Sequence, residues 1–368
     1  MGSVRLHSEP GPPIHLVRVL PSGRIKTRPE DFLVDEIPAY LPSGDGEHLY
    51  LHFTKKNLTT DAAVRAIAGA LDVQARDCGV AGMKDKVGVT SQWISIPAHD
   101  RSLDDRARAL SLDGITIDDA RRHANKLRTG HLAGNRFAIV VRRVPKDRAA
   151  EVVQGLERVG REGLPNAFGF QRFGRDGDNA ERARLWLTGK ERAPRDPRQR
   201  RFLWSALQSA VFNAVLEARV KDDTWATPLE GDILKLSTGG LFVCTDVQTD
   251  RERALTGEVS PTGPIVGVKM RAPSGRPAEI EREISARVLG EGFDLASTRA
   301  LGEGTRRVLR LAVSEMRATV ELSEQEASVR VYFVLPKGAY ATTALAAAIR
   351  LENAPETVDL SGAESNDS

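Results

Sequence analysis

The stretch V-A-G-M-K-D-K-V-G-V-T-S-Q-W-I-S-I, residues 80–96, is the most informative part of the chain. Its first half is small and charged, and it places Asp85 between Lys84 and Lys86. Its second half has the apolar spacing of a strand. The pattern predicts a turn that carries a carboxylate into a strand, with two cations that favour its charged form. An aspartate in a turn is also a common turn former or helix cap, so this pattern alone selects no reaction.

The length and composition indicate a globular protein of two domains. A chain of 368 residues exceeds one typical domain, and 40% hydrophobic with 28% charged residues is an ordinary globular balance. No apolar run approaches the ~18 residues of a membrane span, and the N-terminus lacks the apolar core of a secretory signal. We therefore expect a cytoplasmic protein with no membrane partner.

Basic residues are concentrated in two stretches of a chain whose net charge is only +3. Residues 121–148 hold nine Lys or Arg against one acid, and residues 172–201 hold ten against five. Such local excess is typical of a phosphate-binding surface. A solvated basic face is the alternative, and it is equally open for the second stretch. In the first stretch the candidate contacts are Arg121, Arg122, Arg142 and Arg143.

Strand and helix patterns alternate along the chain, which predicts the α+β class. A helix is expected from Thr60, as its cap, with a buried stripe of Val64, Ile67, Ala68 and Leu71. Polar or Pro/Gly-rich composition predicts loose termini at residues 1–20 and 354–368. The other predicted elements are strands at 49–53, 137–144 and 329–335 and helices at 205–219 and 342–351.

The motifs of several common enzyme classes are missing from the sequence. It has no Walker A motif and no G-x-G-x-x-G after a strand, so neither nucleotide hydrolysis nor dinucleotide binding is supported. His123 and His131 have no third ligand at useful spacing, and we expect them to contact phosphate or solvent. Cys78 and Cys244 form no metal or disulfide pattern, and Cys78 is expected to be a small core residue.

The string A-G-M-K-D-K at 81–86, followed by V-T-S-Q-W at 89–93, resembles the catalytic signature of the TruD family of tRNA pseudouridine synthases. The resemblance rests on five blocks in the family's order, which together span residues 26–342. The other four are K-T-R-P-E-D-F-L-V-D-E at 26–36, G-H-L-A-G-N-R-F at 130–137, L-P-N-A-F-G-F-Q-R-F-G at 164–174 and K-G-A-Y-A-T at 337–342.

The resemblance implies a pseudouridine-synthase catalytic domain, with a central mixed sheet and flanking helices, that carries an inserted α+β domain. The implied bounds are 21–163 and 304–353 for the catalytic domain and 164–303 for the insertion. The implied reaction breaks the bond from ribose C1′ to uracil N1 and rejoins the base through C5. It is an isomerisation of uridine in tRNA, usually at position 13, that uses no cofactor and no metal. The implied partner is tRNA, and a monomer without a protein partner is expected.

Two charged residues match the chemistry of the family. Asp85 matches its catalytic aspartate, and whether that carboxylate acts as a nucleophile or as a base stays open. Lys26 matches a basic residue near the aspartate, where it would hold the carboxylate ionised and oriented. An exposed surface lysine is the alternative for Lys26.

Three aromatic residues and one amide match the family's base-binding positions. Phe32, Phe137 and Tyr340 are the aromatic candidates, because stacking on a ring returns ~1–3 kcal/mol to a base that has left the RNA stack. Core packing is the alternative for Phe32 and Phe137. Asn135 can both donate to and accept from the edge of uracil, and Gly134 would permit a close backbone approach.

Two other classes of function are compatible with parts of this pattern. One is a non-catalytic tRNA-binding or tRNA-folding protein on the same scaffold, which would be free to lose Asp85. The other is a metal-dependent nuclease, which requires clustered carboxylates that the sequence does not show. Because Asp85 is intact between Lys84 and Lys86, the isomerase is the preferred hypothesis.

Overall fold

The computed structural model describes residues 20–98, 100–174, 176–324 and 326–352. The described residues form two compact units. Among the described residues, the sheet unit comprises 20–161 and 313–352, and the helical unit comprises 162–312. The two segments of the sheet unit are thus separated in sequence by the whole helical unit. Apart from Leu20, the termini predicted to be loose lie outside the described residues.

The elements are mixed in type throughout, which confirms the predicted α+β class. The strands are β1 (Ser22–Gly23), β2 (Phe32–Pro38), β3 (His48–Lys56), β4 (Gly79–Val80), β5 (Val89–Pro97), β6 (Ile115–His123), β7 (Leu132–Val144), β8 (Leu164–Pro165), β9 (Ile233–Leu236), β10 (Leu241–Val243), β11 (Val259–Ile265), β12 (Thr305–Val308), β13 (Arg310–Leu311), β14 (Ser314–Leu322), β15 (Ala327–Pro336) and β16 (Arg350–Leu351). The helices are α1 (Thr60–Ala70), α2 (Ser102–Arg108), α3 (Ala149–Glu162), α4 (Asn179–Leu187), α5 (Pro197–Lys221), α6 (Val247–Leu255), α7 (Gly275–Leu289) and α8 (Ala341–Ala346). Short 3-10 helices occur at Pro29–Asp31, Ala75–Asp77, Lys146–Arg148, Phe170–Phe173 and Leu295–Thr298.

One mixed sheet organises the sheet unit. Its strand order is β14-β15-β7-β2-β5-β3-β6, and β4 pairs with β5. The β2–β5 pair is parallel and the others are antiparallel. Phe137 of β7 lies opposite Val34 of β2 and Phe333 of β15, and Asn135 lies opposite Glu36 and Leu335. Because facing residues point to the same side of a sheet, this register collects those side chains on one face.

Helix α1 covers part of this face, and its start differs from the predicted one. The N-cap is Thr59, whose side chain accepts a hydrogen bond from Ala62 N at 3.1 Å. Thr60 is fully buried, and its hydroxyl is used by other elements instead. The predicted apolar stripe is buried as expected: Val64, Ile67, Ala68 and Leu71.

The end of the sheet unit corrects the predicted final helix. Helix α8 stops at Ala346, and Arg350–Leu351 forms a strand that pairs in parallel with Ser22–Gly23. Arg350 N donates to Pro21 O at 2.8 Å, a pairing with a residue far away in sequence that local periodicity does not reveal.

Two of the four arginines expected to meet phosphate point into the sheet unit. Strand β6 alternates, so Arg121 is exposed while Arg122 is buried and pairs with Asp104 at 2.6 Å. Arg142 is held by both oxygens of the buried Asp31, at 2.6 and 2.8 Å. Each of these two arginines thus neutralises a carboxylate of the protein, and Arg142 keeps 27% of its side chain exposed while Arg122 keeps 7%.

The helical unit is built around α5, which extends from Pro197 to Lys221 and includes the predicted helix 205–219. Asp196 caps its N-terminus, and Pro197 occupies the first helical position. The buried face of α5 packs in a cluster with residues of α4 and α7. Strands β10-β9-β11-β12 form the larger sheet of this unit. Across the described residues of both units, no helix has the length and hydropathy to cross a membrane.

Gly134 supplies a test of the register that aligns Asn135 and Phe137. A Cβ at Gly134 would lie 2.3 Å from the carbonyl oxygen of Leu335 on β15. We expect Gly134→Ala to lower the free energy of unfolding by about 1–3 kcal/mol, because a strand must shift. Gly69→Ala is the control, since that exposed site in α1 has open space and should gain up to about 1 kcal/mol. Urea denaturation measures both, and a neutral Gly134→Ala would contradict the register.

Candidate active site

Asp85 lies in the loop between β4 and β5, which is fastened to the start of α1. Lys84 N donates to Thr60 Oγ1 at 2.9 Å, and Thr60 donates to Gln92 Oε1 at 2.9 Å. Gln92 Nε2 in turn donates to Gly82 O at 3.1 Å. This chain of hydrogen bonds ties the loop residues just before Asp85 to α1 and β5.

The buried Lys55 fixes the main chain of Asp85. Its Nζ donates to Asp85 O at 2.8 Å and to Leu58 O at 2.6 Å, and the residue is fully buried. Burial lowers the pKa of Lys55 from 10.5 to about 8, although the nearby Asp85 charge raises it. Sequence analysis missed this residue. The sequence did contain an indication of its burial. Lys55 follows Leu51 and Phe53 at the two-residue spacing of side chains that point to the same, buried face of a strand.

Lys26 reaches the Asp85 carboxylate as predicted. The distance from Lys26 Nζ to Asp85 Oδ2 is 3.1 Å, and the same ammonium lies 4.2 Å from the centre of the Phe32 ring. The Lys26 side chain is 11% exposed, against 35% for Asp85. A cation between a carboxylate and an aromatic face is stabilised by both, and this limits its freedom to move.

The lysines on either side of Asp85 do not perform the function expected of them. Lys84 forms an almost fully buried ion pair with Glu36 of β2, at 2.5 Å. Lys86 is exposed and has no ion pair with any residue the structure describes. The cations beside Asp85 are therefore Lys26 and Lys55, because the loop turns Lys84 towards the sheet and Lys86 towards solvent.

The three aromatic candidates have different environments. Phe32 is 1% exposed and Phe137 is 6% exposed, with their rings edge to face at 6.4 Å. Phe137 also stacks on the buried Phe333 at 5.2 Å. Tyr340 is 57% exposed at the N-cap of α8 and makes no hydrogen bond or ring contact with a described side chain. The structure thus groups Phe32 and Phe137 with Lys26 and leaves Tyr340 apart from them.

Asn135 carries a buried acceptor without a partner. Its Oδ1 accepts no hydrogen bond from any described residue. It projects from the same face of β7 as Phe137, two positions earlier in the strand. An unsatisfied buried polar group costs about 1–3 kcal/mol of stability. A ligand that donates a hydrogen bond to Asn135 Oδ1 would remove this cost.

The histidines and Cys78 are engaged in structural contacts. His123 stacks on Tyr40 at 5.2 Å, and His131 Nδ1 lies 2.7 Å from the hydroxyl of Tyr40. Burial raises the pKa of Cys78 to about 11, so the thiol stays protonated near neutral pH. Within the part of the chain that the structure describes, no group of three or more His, Cys, Asp or Glu is placed to hold a metal ion.

Comparison with known proteins identifies consistent relatives. The family model of tRNA pseudouridine synthase D matches residues 21–187 and 194–347. A tRNA pseudouridine synthase D of an Anaeromyxobacter species is 45% identical over 332 residues, which are 88% of this chain and 91% of that protein. The Thermus thermophilus protein of the same name is 40% identical over 333 residues, 90% and 89% of the two chains.

A solved structure shares the fold. It is the crystal structure of a putative tRNA pseudouridine synthase D from Methanosarcina mazei, with a TM-score of 0.75 and 24% sequence identity. The match covers 92% of this chain and 96% of that one. At this identity the likeness concerns the fold alone.

The lowered pKa of Lys55 predicts a pH-dependent stability. Between about pH 8 and 10.5 the unfolded state keeps a proton on this lysine that the folded state has released, so the contribution of Lys55 to stability rises with pH. Below pH 8 both states are protonated and the cost of burying the charge is present in full. A pKa change of one unit corresponds to about 1.4 kcal/mol. The contribution of Lys55 to the free energy of unfolding therefore changes by a few kcal/mol at most across this pH range.

Lys55→Met should therefore lose stability relative to the wild type as the pH rises from 7.5 to 10. Urea midpoints of both proteins at both pH values measure that change. Lys56→Met is the control, since Lys56, the neighbour of Lys55 on β3, is 54% exposed and pairs with Glu30. A mutant–wild-type difference that is the same at both pH values would show that Lys55 stays charged in the folded protein.

Proposed function

This chain belongs to the TruD family of tRNA pseudouridine synthases, and we propose that it acts at position 13 of tRNA with Asp85 as its catalytic carboxylate. It is an isomerase that converts uridine to pseudouridine in tRNA. The observation that carries the assignment of Asp85 is its setting. A partly exposed carboxylate contacts Lys26, its main chain is held by Lys55, and aromatic rings lie beside the ammonium.

The two carboxylate oxygens of Asp85 have different surroundings, and this suits the reaction. Oδ2 contacts Lys26, whereas Oδ1 accepts no hydrogen bond from the described residues. In the reaction the C1′–N1 bond breaks, the uracil turns, and C5 forms the new bond to C1′. C5 then loses its proton and N1 gains one, so the product is an isomer of the substrate. Attack on C1′ and removal of a ribose proton would both use the free oxygen, while Lys26 keeps the carboxylate aligned.

We propose that Asn135 retains the detached base. Its unpaired Oδ1 would accept a hydrogen bond from a uracil N–H, which satisfies an atom that the protein leaves without a partner. The neighbouring backbone is held close to β15 at Gly134, where a Cβ would collide with Leu335. Rigid support of this kind favours precise positioning of a small planar ligand.

The aromatic residues are proposed to act at different depths. Phe32 has the Lys26 ammonium on its ring and Phe137 against it, so its contribution is to position the cation. Phe137 would meet the base through its small exposed part, and the exposed Tyr340 would approach from the segment after β15. The burial of Phe137 equally suits core packing, which makes it the residue to test.

The family assignment does not favour the alternative of a non-catalytic tRNA-binding protein. The buried Lys55 argues against it, because burial of a charged amine destabilises the fold and tRNA binding alone gives no reason to retain it. We further propose that the enzyme works as a cytoplasmic monomer, on the grounds that tRNA is its substrate and that the site residues come from one chain.

Asp85→Asn tests the proposed chemistry. The amide keeps the size of the side chain but has no charge, so turnover should fall at least about 10³-fold while tRNA affinity changes little. Asp77→Asn, at an exposed carboxylate of the same unit, should retain full activity. Mass spectrometry of unmodified tRNA transcripts after incubation locates the product. Pseudouridine formed by Asp85→Asn near the wild-type rate would refute the role, and product at another uridine would refute position 13.

Phe137→Leu separates substrate contact from core packing. Phe333→Leu is the matched control, because it truncates the other ring of the same stacked pair. Both variants should lower the free energy of unfolding by about 1 kcal/mol, since both rings are buried. Only Phe137→Leu should also reduce turnover per folded molecule, about tenfold, by removing an aromatic contact to the base. Equal activity of the two variants would assign Phe137 to the core.

A further inference from the structure

Two arginines of the helical unit share one aromatic ring. The guanidinium of Arg307 lies 4.1 Å from the centre of the Phe168 ring, and that of Arg172 lies 5.6 Å from it. The backbone of Phe168 is fixed by Asn213, which accepts from Phe168 N at 2.8 Å and donates to Phe168 O at 2.9 Å. Phe212 packs edge to face on the same ring at 5.5 Å. The platform for the two cations is therefore rigid.

Neither guanidinium is neutralised by a described carboxylate. Arg172 donates to the hydroxyls of Ser205 and Ser209, the latter at 3.3 Å. Arg307 donates to Asn166 Oδ1 at 2.5 Å. All of these partners are neutral, so the site as described has two positive charges and no negative one.

Two fully buried arginines of this unit are paired with carboxylates, whereas Arg172 is exposed and Arg307 is half-buried. Arg306, the neighbour of Arg307 on β12, binds both oxygens of Glu281 at 2.6 and 2.7 Å. Arg219 binds both oxygens of Asp232, each at 2.9 Å. The fold supplies a carboxylate to each of these two arginines, whereas the described partners of Arg172 and Arg307 are neutral.

The electrostatic setting opposes two cations without an anion. Burial lowers the pKa of Arg172, and burial together with the Arg172 charge lowers the pKa of Arg307. A guanidinium remains protonated in spite of such shifts, so the repulsion persists until an anion arrives. Phosphate suits the arrangement, because planar guanidinium groups donate to its oxygens in pairs.

We propose that Arg172 and Arg307 form a phosphate-binding site that holds a backbone phosphate of the RNA substrate, with Phe168 as the platform of the two guanidinium groups. The class of anion follows from the guanidinium geometry. Its source in RNA rests on the proposed function and on the basic stretch 172–201, which belongs to the same unit. Nothing in this site takes part in the bond changes at the uridine.

The test compares Arg172→Gln and Arg307→Gln with the control Arg192→Gln. Arg192 is exposed and lies in the stretch 172–201, and its substitution removes the same charge. Binding of an unmodified tRNA transcript is measured from 50 to 200 mM salt. Each site variant should bind about tenfold more weakly near 0.1 M salt and lose about 0.7–0.9 from the slope of log K against log salt. Arg192→Gln should change the tRNA affinity and the salt slope by less. If it changes them as much as the site variants do, the proposal of a specific site is wrong.

Thermal melting without anions separates binding from structure. Because each substitution removes one of two repelling charges, Arg172→Gln and Arg307→Gln should melt at or above the wild-type temperature. Arg306→Gln should melt well below it, since Glu281 would be left buried without its partner. If the melting temperature of Arg307→Gln falls as far as that of Arg306→Gln while tRNA affinity is unchanged, Arg307 has a structural role and the proposal is wrong.

Two further measurements separate the RNA source and the proposed function from the site. Inorganic phosphate should raise the melting temperature of the wild type only at high concentration. Stabilisation by inorganic phosphate that both site variants lose, with tRNA binding unaffected, would identify a free-phosphate site and overturn the RNA assignment. At limiting tRNA both site variants should form pseudouridine more slowly than the wild type. Wild-type protein that forms none would refute the function, whereas active variants with unchanged tRNA binding would refute only the site.

Discussion

The buried ammonium group of Lys55 is the interaction on which the geometry of the candidate site depends. It joins β3 to the main chain of Asp85 and of Leu58, so the Asp85 loop and the segment that leads into α1 are held by one group. A lysine in this position destabilises the fold while it is charged, as its lowered pKa shows. Groups that a fold retains at such a cost are concentrated at functional sites.

Around the contacts of Lys55, the other charged residues of the candidate site form two layers. Lys84 and Glu36 form the inner one, which is closed to solvent and internally neutral. Lys26 and Asp85 form the outer one, where the carboxylate keeps about a third of its surface exposed. Since breaking a buried ion pair is costly, the inner layer preserves the loop geometry. The outer layer can then exchange solvent for a substrate without disturbing the fold.

Groups that the protein leaves unsatisfied point to ligands in both units. In the sheet unit it is the buried Oδ1 of Asn135, beside the ring of Phe137. In the helical unit it is the positive charge of Arg172 and Arg307 around Phe168. Native folds satisfy most of their buried polar groups, so the Asn135 oxygen is an informative exception. The two arginines are informative because they lie on one ring without a described carboxylate between them. Each has the chemistry of one part of a nucleotide, the base edge and the phosphate respectively.

The sequence by itself determined the family, the α+β class and the placement of Asp85 in a loop before a strand, because these depend on contiguous motifs and local periodicity. It also indicated that Lys26 and Asp85 would meet. Only the tertiary structure decided that Lys84 faces Glu36, that Lys55 supports Asp85 and that Arg122 and Arg142 neutralise internal acids. The physical reason is that these contacts join residues distant in sequence. Strand register and the covering of one sheet face select which charged side chains turn inward, and neither can be read from a local pattern.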